Sequence, residues 1–162
     1  MMKKGQAAME FLMTYGWAIL VVLAAIGALA YFGVLSPGNL LPEKTTFSAP
    51  FISTESAVIT ISGADVTVQI PMTNGNSGSV TINTTASTAI GDGDCATVGA
   101  IATNDADDVI ATNDEFIVTW TCTGAATGKN PGDKFRANLG FTYTTGSGLV
   151  RTHSGSVTGT MS

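Results

Sequence analysis

The stretch FLMTYGWAILVVLAAIGALAYFGVL, residues 11–35, contains no charged residue, and it predicts one long apolar helix. A helix rises about 1.5 Å per residue, so this stretch spans about 37 Å, more than the roughly 30 Å of hydrocarbon in a bilayer. It is apolar on every side, which distinguishes it from a surface helix with one wet face. The helix is predicted to end at Ser36-Pro37-Gly38-Asn39, because proline cannot continue it.

The residues ahead of this stretch set its orientation. Lys3 and Lys4 predict a cytoplasmic N-terminus and an external C-terminal part, since positive residues stay on the cytoplasmic side. A secretory signal peptide has an apolar core of only about 7 to 15 residues, and no convincing cleavage site follows Leu35. A plain membrane anchor fits the length of the stretch but gives no role to Glu10, the carboxylate at its edge.

The start of the chain resembles a known targeting signal. The run Lys3-Lys4-Gly5-Gln6-Ala7-Ala8-Met9-Glu10-Phe11 precedes the long apolar helix. Together, this run and the helix are similar to the class III signal peptide of archaeal type IV pilins. The resemblance implies that a membrane peptidase removes residues 1–5 as a leader by cutting between Gly5 and Gln6. It also implies that residues 6–35 form a transmembrane helix that becomes the core of a filament.

Glu10 has two interpretations. In the resemblance it is the fifth residue of the mature chain, where these pilins commonly carry glutamate, and it stands beside Phe11 in the region that directs assembly. An isolated carboxylate is costly in an apolar bundle, so the free α-amine of Gln6 on a neighbouring subunit would neutralise it and fix the axial register of the helices. In the other interpretation, Glu10 lies among lipid headgroups and marks only the membrane edge.

The rest of the chain is patterned for β structure. Residues 36–44 are interpreted as a linker, and residues 45–162 as one extracellular domain without a helical period. Runs rich in valine, isoleucine, threonine and aromatic residues, separated by turn signals, predict strands over 57–62, 65–72, 79–87, 115–122, 135–145 and 149–160. A bend is expected at Gly155, and a hairpin loop is expected at TTGSG between the last two strands. The predicted fold class is therefore α+β, a long apolar helix followed by an all-β antiparallel sandwich-like domain.

The two cysteines, Cys95 and Cys122, both lie in this domain. They are too few for a structural zinc site, and His153 is the only histidine in the sequence. A disulfide between them would close a loop of about 28 residues and would stabilise an exported domain by roughly 3.5 kcal/mol. The alternative is a pair of buried free thiols.

The charged and glycosylatable residues bear on the partners of the domain. From Thr45 onward ten acidic residues stand against four basic ones, a net charge of −6, so nucleic acid is not an expected partner. GDGDC (91–95) and NDADD (104–108) are interpreted as solvated loops, with calcium binding through carboxylate oxygens as the alternative. Neither a metal nor another cofactor is expected. Asn83-Thr84-Thr85 is the one N-x-S/T sequon, so Asn83 is the candidate for glycosylation.

The sequence lacks the side-chain patterns from which active sites are usually built. His153, in RTHSGS, is interpreted as an ordinary surface or pleat residue rather than a catalyst. There is no glycine-rich phosphate loop before a helix, no nucleophile elbow and no HExxH motif. The chain is therefore not expected to be an enzyme.

The resemblance implies a structural subunit of a type IV pilus-like filament on the cell surface, with adhesion as its biological use. Its partners would be copies of itself in a helical homopolymer, the leader peptidase, an assembly ATPase with its membrane platform, and the membrane that holds the precursor. One alternative is an anchored extracellular β-sandwich that binds a ligand and never polymerises. Another is a minor pilin of a filament for secretion, DNA uptake or motility.

Overall fold

The chain divides into two compact units, Met1–Leu41 and Pro42–Ser162. The first contains a long helix and the second contains antiparallel strands, so the predicted α+β fold class is confirmed. The computed structural model describes residues 3–31, 42–85, 87 and 89–162, with side chains from residue 8 onward.

Helix α1 spans Lys3–Tyr31. Its alanine, leucine and methionine residues have high helix propensity, and no proline interrupts it. The hydroxyl of Thr14 donates a hydrogen bond to the carbonyl oxygen of Glu10, one turn earlier, at 2.9 Å. Threonine hydroxyls within helices often bond to the backbone in this way. The predicted continuation of the helix to Leu35, and residues 36–41 of the predicted linker, lie outside the described residues.

The second unit consists of strands that pair in two antiparallel sheets. Their bounds are Lys44–Phe47 (β1), Phe51–Ser53 (β2), Val58–Ser62 (β3), Asp65–Asn74 (β4), Val80–Asn83 (β5), Ile90–Gly93 (β6), Val98–Thr103 (β7), Val109–Ile110 (β8), Glu115–Cys122 (β9), Lys134–Thr145 (β10) and Val150–Thr160 (β11). The first sheet has the order β1-β11-β10-β5-β8, and β6 also pairs with β10. The second sheet has the order β2-β4-β9-β7, and β3 also pairs with β4.

The two sheets form a sandwich because their strands alternate between buried and exposed side chains. In β4 and β9 the alternating residues that the pattern directs to the core are buried: Val66, Val68, Ile70, Phe116, Val118 and Trp120. Trp120 also donates its indole Nε1–H to the carbonyl oxygen of Gly140 in the first sheet, at 3.1 Å. The polar atom of the largest core side chain is therefore satisfied across the sandwich.

The predicted strands are all present, as β3, β4, β5, β9, β10 and β11, and so is the predicted hairpin loop between β10 and β11. The strand expected over 79–87 is shorter, because β5 ends at Asn83, whose Oδ1 accepts the N–H of Thr85 at 3.1 Å and turns the chain. The sequence pattern does not predict β1, β2, β6, β7 and β8. These strands are short or contain glycine and alanine, and long-range pairing forms them.

Gly155 lies within β11, and the pairing of β11 with β10 continues through it without a bulge. Leu139 of β10 pairs opposite Gly155 on one side, and Phe47 of β1 pairs opposite it on the other. A Cβ at this position would meet the ring of Phe47 at 2.6 Å and also the carbonyl oxygen of Thr46. The glycine makes room for β1, and the bend expected at Gly155 stays a prediction.

Candidate functional site

Helix α1 presents apolar side chains on every side. The segment Ala8–Tyr31, 24 residues in length, is long and apolar enough to cross a membrane. Its large side chains are exposed, as Trp17 at 69% and Leu20 at 67% illustrate. Leaving one such side chain in water instead of burying it costs about 1.5–3 kcal/mol, so the segment requires an apolar environment such as lipid or other helices.

The surface of helix α1 combines bulky apolar side chains with two glycines that have no side chain. The rings of Phe11 and Tyr15 contact each other with centroids 4.8 Å apart. They belong to a shallow apolar surface formed by Phe11, Tyr15, Ala18, Ile19, Val22 and Leu23. Gly16 and Gly27 are about three turns apart, and a Cβ at either would meet nothing within 4 Å. Large side chains therefore project from the helix, and its backbone is bare at Gly16 and Gly27. A neighbouring helix can approach closely at these two glycines.

Glu10 is the acidic residue at the N-terminal end of this apolar segment. Its side chain is exposed, and no ion pair involves it among the described side chains of residues 8–31, 42–85, 87 and 89–162. A carboxylate without a partner is costly in hydrocarbon, so Glu10 requires water, a headgroup or a cation from another molecule. Gly5 and Gln6, the predicted cleavage site, lie within α1, and their side chains fall outside the described residues.

The two cysteines form a disulfide, as predicted, with their Cα atoms 5.0 Å apart. Cys95 and Cys122 are both fully buried. Disulfides persist in oxidising compartments, and an N-terminal apolar helix is typical of a signal anchor or a membrane span. Together these two features fit a secreted or extracellular protein.

The glycosylation candidate Asn83 is the last residue of β5 and is half-buried. It pairs opposite Thr142 of β10, and its Oδ1 accepts the N–H of Thr85. The hydroxyl of Thr84, the middle residue of the sequon, donates to Asp108 Oδ2 at 3.0 Å. The sequon therefore lies in a structured turn at the end of a strand.

The two acidic clusters are held by hydrogen bonds within the β unit. In the first cluster, Asp94 accepts the N–H of Arg136 at 2.7 Å and pairs with Nζ of Lys129 at 3.4 Å. In the second, Asp108 accepts the hydroxyls of Thr84 and Thr103. Among the described residues, no three histidine, cysteine or acidic side chains come together as metal ligands.

The first acidic cluster differs from the predicted solvated loop. Asp92 lies on β6 and pairs opposite Asn138 of β10, so part of the cluster belongs to the first sheet. The sequence GDGD (91–94) does not predict a strand, because glycine and aspartate are both uncommon in strands. The second cluster lies between β7 and β8, as the prediction of a loop requires.

His153 is buried, so the expectation of an ordinary surface residue is wrong, although its place on a strand is confirmed. The ring packs against Phe47, Phe51 and Phe141, with centroids 5.3 to 5.7 Å apart. Its Nε2 lies 3.1 Å from the carbonyl oxygen of Phe51 and donates to it in the Nε2–H tautomer. Burial lowers the pKa of His153, and the bond to Phe51 opposes this only in part. The ring is a neutral member of the core that links β11 to β2.

A polar groove in the β unit has no counterpart among the sequence-based expectations. It lies between the β4–β5 loop and the β10–β11 hairpin and includes Arg151. The signal that marks it is the recurrence of glycine, serine and asparagine in GNSGS (75–79) and GSGL (146–149). The two segments lie far apart in sequence, and only the pairing of β5 with β10 brings them together.

Comparison with known proteins adds no relative from which a role can be transferred. No protein-family model matches the chain. No curated protein matches it either.

Proposed function

We propose that this chain is a structural subunit of an archaeal type IV pilus-like filament on the cell surface, and that the filament serves adhesion. The observation that carries the proposal is the helical segment Ala8–Tyr31, which is apolar on all sides and bears one carboxylate, Glu10, at its N-terminal end. A plain anchor needs the apolar segment, but it does not need an acid at this position.

The apolar segment has two environments in this proposal. Lipid covers it in the precursor, whose N-terminus is cytoplasmic, and equivalent helices of neighbouring subunits cover it in the filament. Transfer from one to the other need not expose the segment to water, so it avoids the large cost of hydrating apolar surface. The bare backbone at Gly16 and Gly27 supports the proposal, because small residues permit close helix packing without a hydrophobic driving force.

Glu10 supplies the polar specificity that apolar helices lack. Once a membrane peptidase has cut between Gly5 and Gln6, the new α-amine of Gln6 is a cation that a neighbouring subunit can offer to Glu10. One buried polar pair among apolar side chains favours a single axial register, as polar residues do in coiled coils. Phe11, next to Glu10 and 60% exposed, would pack against the neighbouring helix at the same level.

The disulfide-bonded β unit forms the outer coat of the filament in this proposal. Its compact sandwich and buried Cys95–Cys122 bond suit an oxidising exterior. The assembly ATPase and its membrane platform extract the subunit from the membrane, and the net negative charge of the β unit disfavours nucleic acid as a ligand.

N-terminal mass spectrometry of protein sheared from cells, together with electron microscopy of the same fraction, tests the proposal. The expected result is a chain that begins at Gln6 and is present in filaments. A chain on intact cells that keeps residues 1–5 and sediments as single molecules would overturn it. That outcome would favour the anchored, non-polymerising binding domain. Sparse copies within filaments made of another protein would instead identify a minor pilin.

A further inference from the structure

We propose that the β unit binds an acidic saccharide, a sugar that carries a carboxylate, in the polar groove at one end of the first sheet. The groove lies between the β4–β5 loop, residues 75–79, and the β10–β11 hairpin loop, residues 146–149. Its volume is about 500 Å³, within the range of sites that bind small molecules. The proposal goes beyond filament assembly and does not depend on it.

The β4–β5 loop is held in place by Asn74, which is fully buried. Its Nδ2 donates to the carbonyl oxygen of Gly78 at 3.3 Å and to that of Ile110 at 3.1 Å. Its Oδ1 accepts the N–H of Asn76 at 3.0 Å. One buried amide therefore fixes both ends of the loop, and this wall of the groove exists before a ligand arrives.

The hairpin loop forms the second wall and is fixed by its own hydrogen bonds. The N–H of Gly148 donates to the carbonyl oxygen of Thr145 at 2.8 Å, and the N–H of Thr145 donates to that of Leu149 at 3.0 Å. The hydroxyls of Thr145 and Ser147 are 2.9 Å apart. Val80 of β5 pairs opposite Thr145, which sets the distance between the two walls.

The groove is lined by groups that both donate and accept hydrogen bonds. Ser77, Ser79 and Ser147 contribute hydroxyls, and Asn76 contributes an amide. Sugar hydroxyls also donate and accept, so a saccharide can satisfy this lining without leaving either partner unpaired. Leu149 lies at the rim with 55% of its surface exposed, and it offers an apolar contact to the C–H face of a sugar ring.

Arg151 adds a positive charge to this otherwise uncharged lining. It lies on β11 opposite Tyr143, and it is absent from the ion pairs that the described residues form, Lys129–Asp94 and Lys134–Glu43. No acidic side chain is among the described residues that line the groove. A guanidinium matches a carboxylate with two parallel hydrogen bonds, so Arg151 selects a sugar acid over a neutral sugar. A single cation suits one carboxylate, whereas nucleic acid binding requires several.

Titration of the isotopically labelled full chain in detergent micelles, followed by amide NMR shifts, tests this assignment. The probes are galacturonate, galactose and inorganic sulfate. Galacturonate is expected to shift the amides of residues 75–79 and 146–149 in a saturable manner. Galactose should bind at least about tenfold more weakly, because it lacks the carboxylate that Arg151 binds.

Three results would overturn the proposal. Sulfate binding as tight as that of galacturonate would show a site for any anion, and galactose binding as tight would show that the carboxylate has no role. Unchanged amide shifts in the groove at high galacturonate concentration would show that no site is present.

A matched pair of variants separates a specific site from general attraction. Arg151→Gln is expected to weaken galacturonate binding at least about tenfold. Arg136→Gln removes the same charge from an exposed position on β10 outside the groove, and it should bind as the wild type does. Equal weakening in both variants would overturn the proposal.

Ser147→Ala provides a second variant that keeps every charge and tests the lining by itself. It should bind galacturonate several-fold more weakly than the wild type, and unchanged binding would contradict the role of the hydroxyls. Because these measurements use unassembled chains, a failure of filament formation leaves their outcome unaffected.

Discussion

Cys95 is bonded to Cys122, and this bond ties the segment between β6 and β7 to the last residue of β9. Cys95 follows β6, which pairs with β10 in the first sheet, and Cys122 is the last residue of β9 in the second. Both sulfurs are buried in the core of the sandwich, and the bond closes a loop that contains β7, β8 and β9.

Replacement of both cysteines by alanine is expected to lower the free energy of unfolding by about 3.5 kcal/mol, because the unfolded chain regains the entropy that the closed loop removes. Denaturant unfolding of the oxidised wild type and of C95A/C122A in the same detergent measures this difference. A reducing agent should cause a similar loss in the wild type and none in the variant. A variant as stable as the oxidised wild type would contradict the prediction.

Gly155→Ala is expected to lower the free energy of unfolding by about 1–3 kcal/mol, because the added Cβ overlaps the ring of Phe47 and the carbonyl oxygen of Thr46. Gly78→Ala is the control, since a Cβ at Gly78 meets nothing within 4 Å. Thermal unfolding should separate the two variants clearly. Equal stabilities would mean that β1 does not lie against β11 as the structure shows.

The burial of His153 makes stability depend on pH. Because burial lowers the pKa of His153 in the folded state, the unfolded chain takes up a proton at this residue more readily than the folded one. The contribution of a neutral His153 to the free energy of unfolding is therefore fully present above about pH 6.5, the pKa of an unperturbed histidine. This contribution is lost as the pH falls from 6.5 toward the lowered pKa of the folded state. Melting temperatures measured from pH 8 to pH 5 should decline in the acidic half of this range.

His153→Phe isolates this contribution, because the chain contains no other histidine. The variant loses the hydrogen bond to Phe51 and is expected to be less stable at pH 8. Between pH 7 and pH 5, however, its melting temperature should change less than that of the wild type. The same decline in both proteins would assign the pH dependence to the carboxylates instead.

Local sequence pattern predicts the strands that carry their own periodic signal. Val66, Val68 and Ile70 alternate with polar residues in β4, so both the strand and its buried face are evident from the sequence. β7 includes Gly99 and Ala100, where its pairing with β9 is irregular. Its sequence does not show the alternation of large apolar and polar residues that marks β4. Strands of this kind exist because a neighbouring strand pairs with them, and a local pattern contains no information about that neighbour.

Some candidate sites are likewise evident from the sequence, whereas others form only when distant strands pair. The apolar helix and Glu10 are contiguous in the sequence, and the two cysteines identify each other because no third is present. Arg151 and Ser77 are far apart along the chain. They line the same groove only because β5 pairs with β10 and β10 pairs with β11. The burial of His153 similarly results from β1 and β2, which the sequence pattern does not predict.

Gly27→Leu tests whether bare backbone on α1 matters for assembly. Glycine is about 0.8–1 kcal/mol worse than alanine as a helix former, and leucine ranks just below alanine, so the helix and its membrane insertion should persist. If neighbouring helices approach closely at Gly27, the larger side chain should sharply reduce the number of filaments. Leu29→Ile is a control with conserved volume and should assemble normally. Normal filaments from the Gly27 variant would show that helices do not pack at this position.

Glu10→Gln is expected to leave the chain in the membrane and to abolish filaments. Under the proposed function, glutamine cannot neutralise the α-amine of Gln6, and breaking a buried pair by removing one partner costs about 3–5 kcal/mol per subunit. Immunoblots of membranes and electron micrographs of the sheared fraction measure the two effects separately. Glu55→Gln removes the same charge from an exposed position of the β unit and should assemble as the wild type does. Abundant, regular filaments from the Glu10 variant would show that its carboxylate only marks the membrane edge, whereas equal loss in both variants would assign the effect to net charge rather than to register.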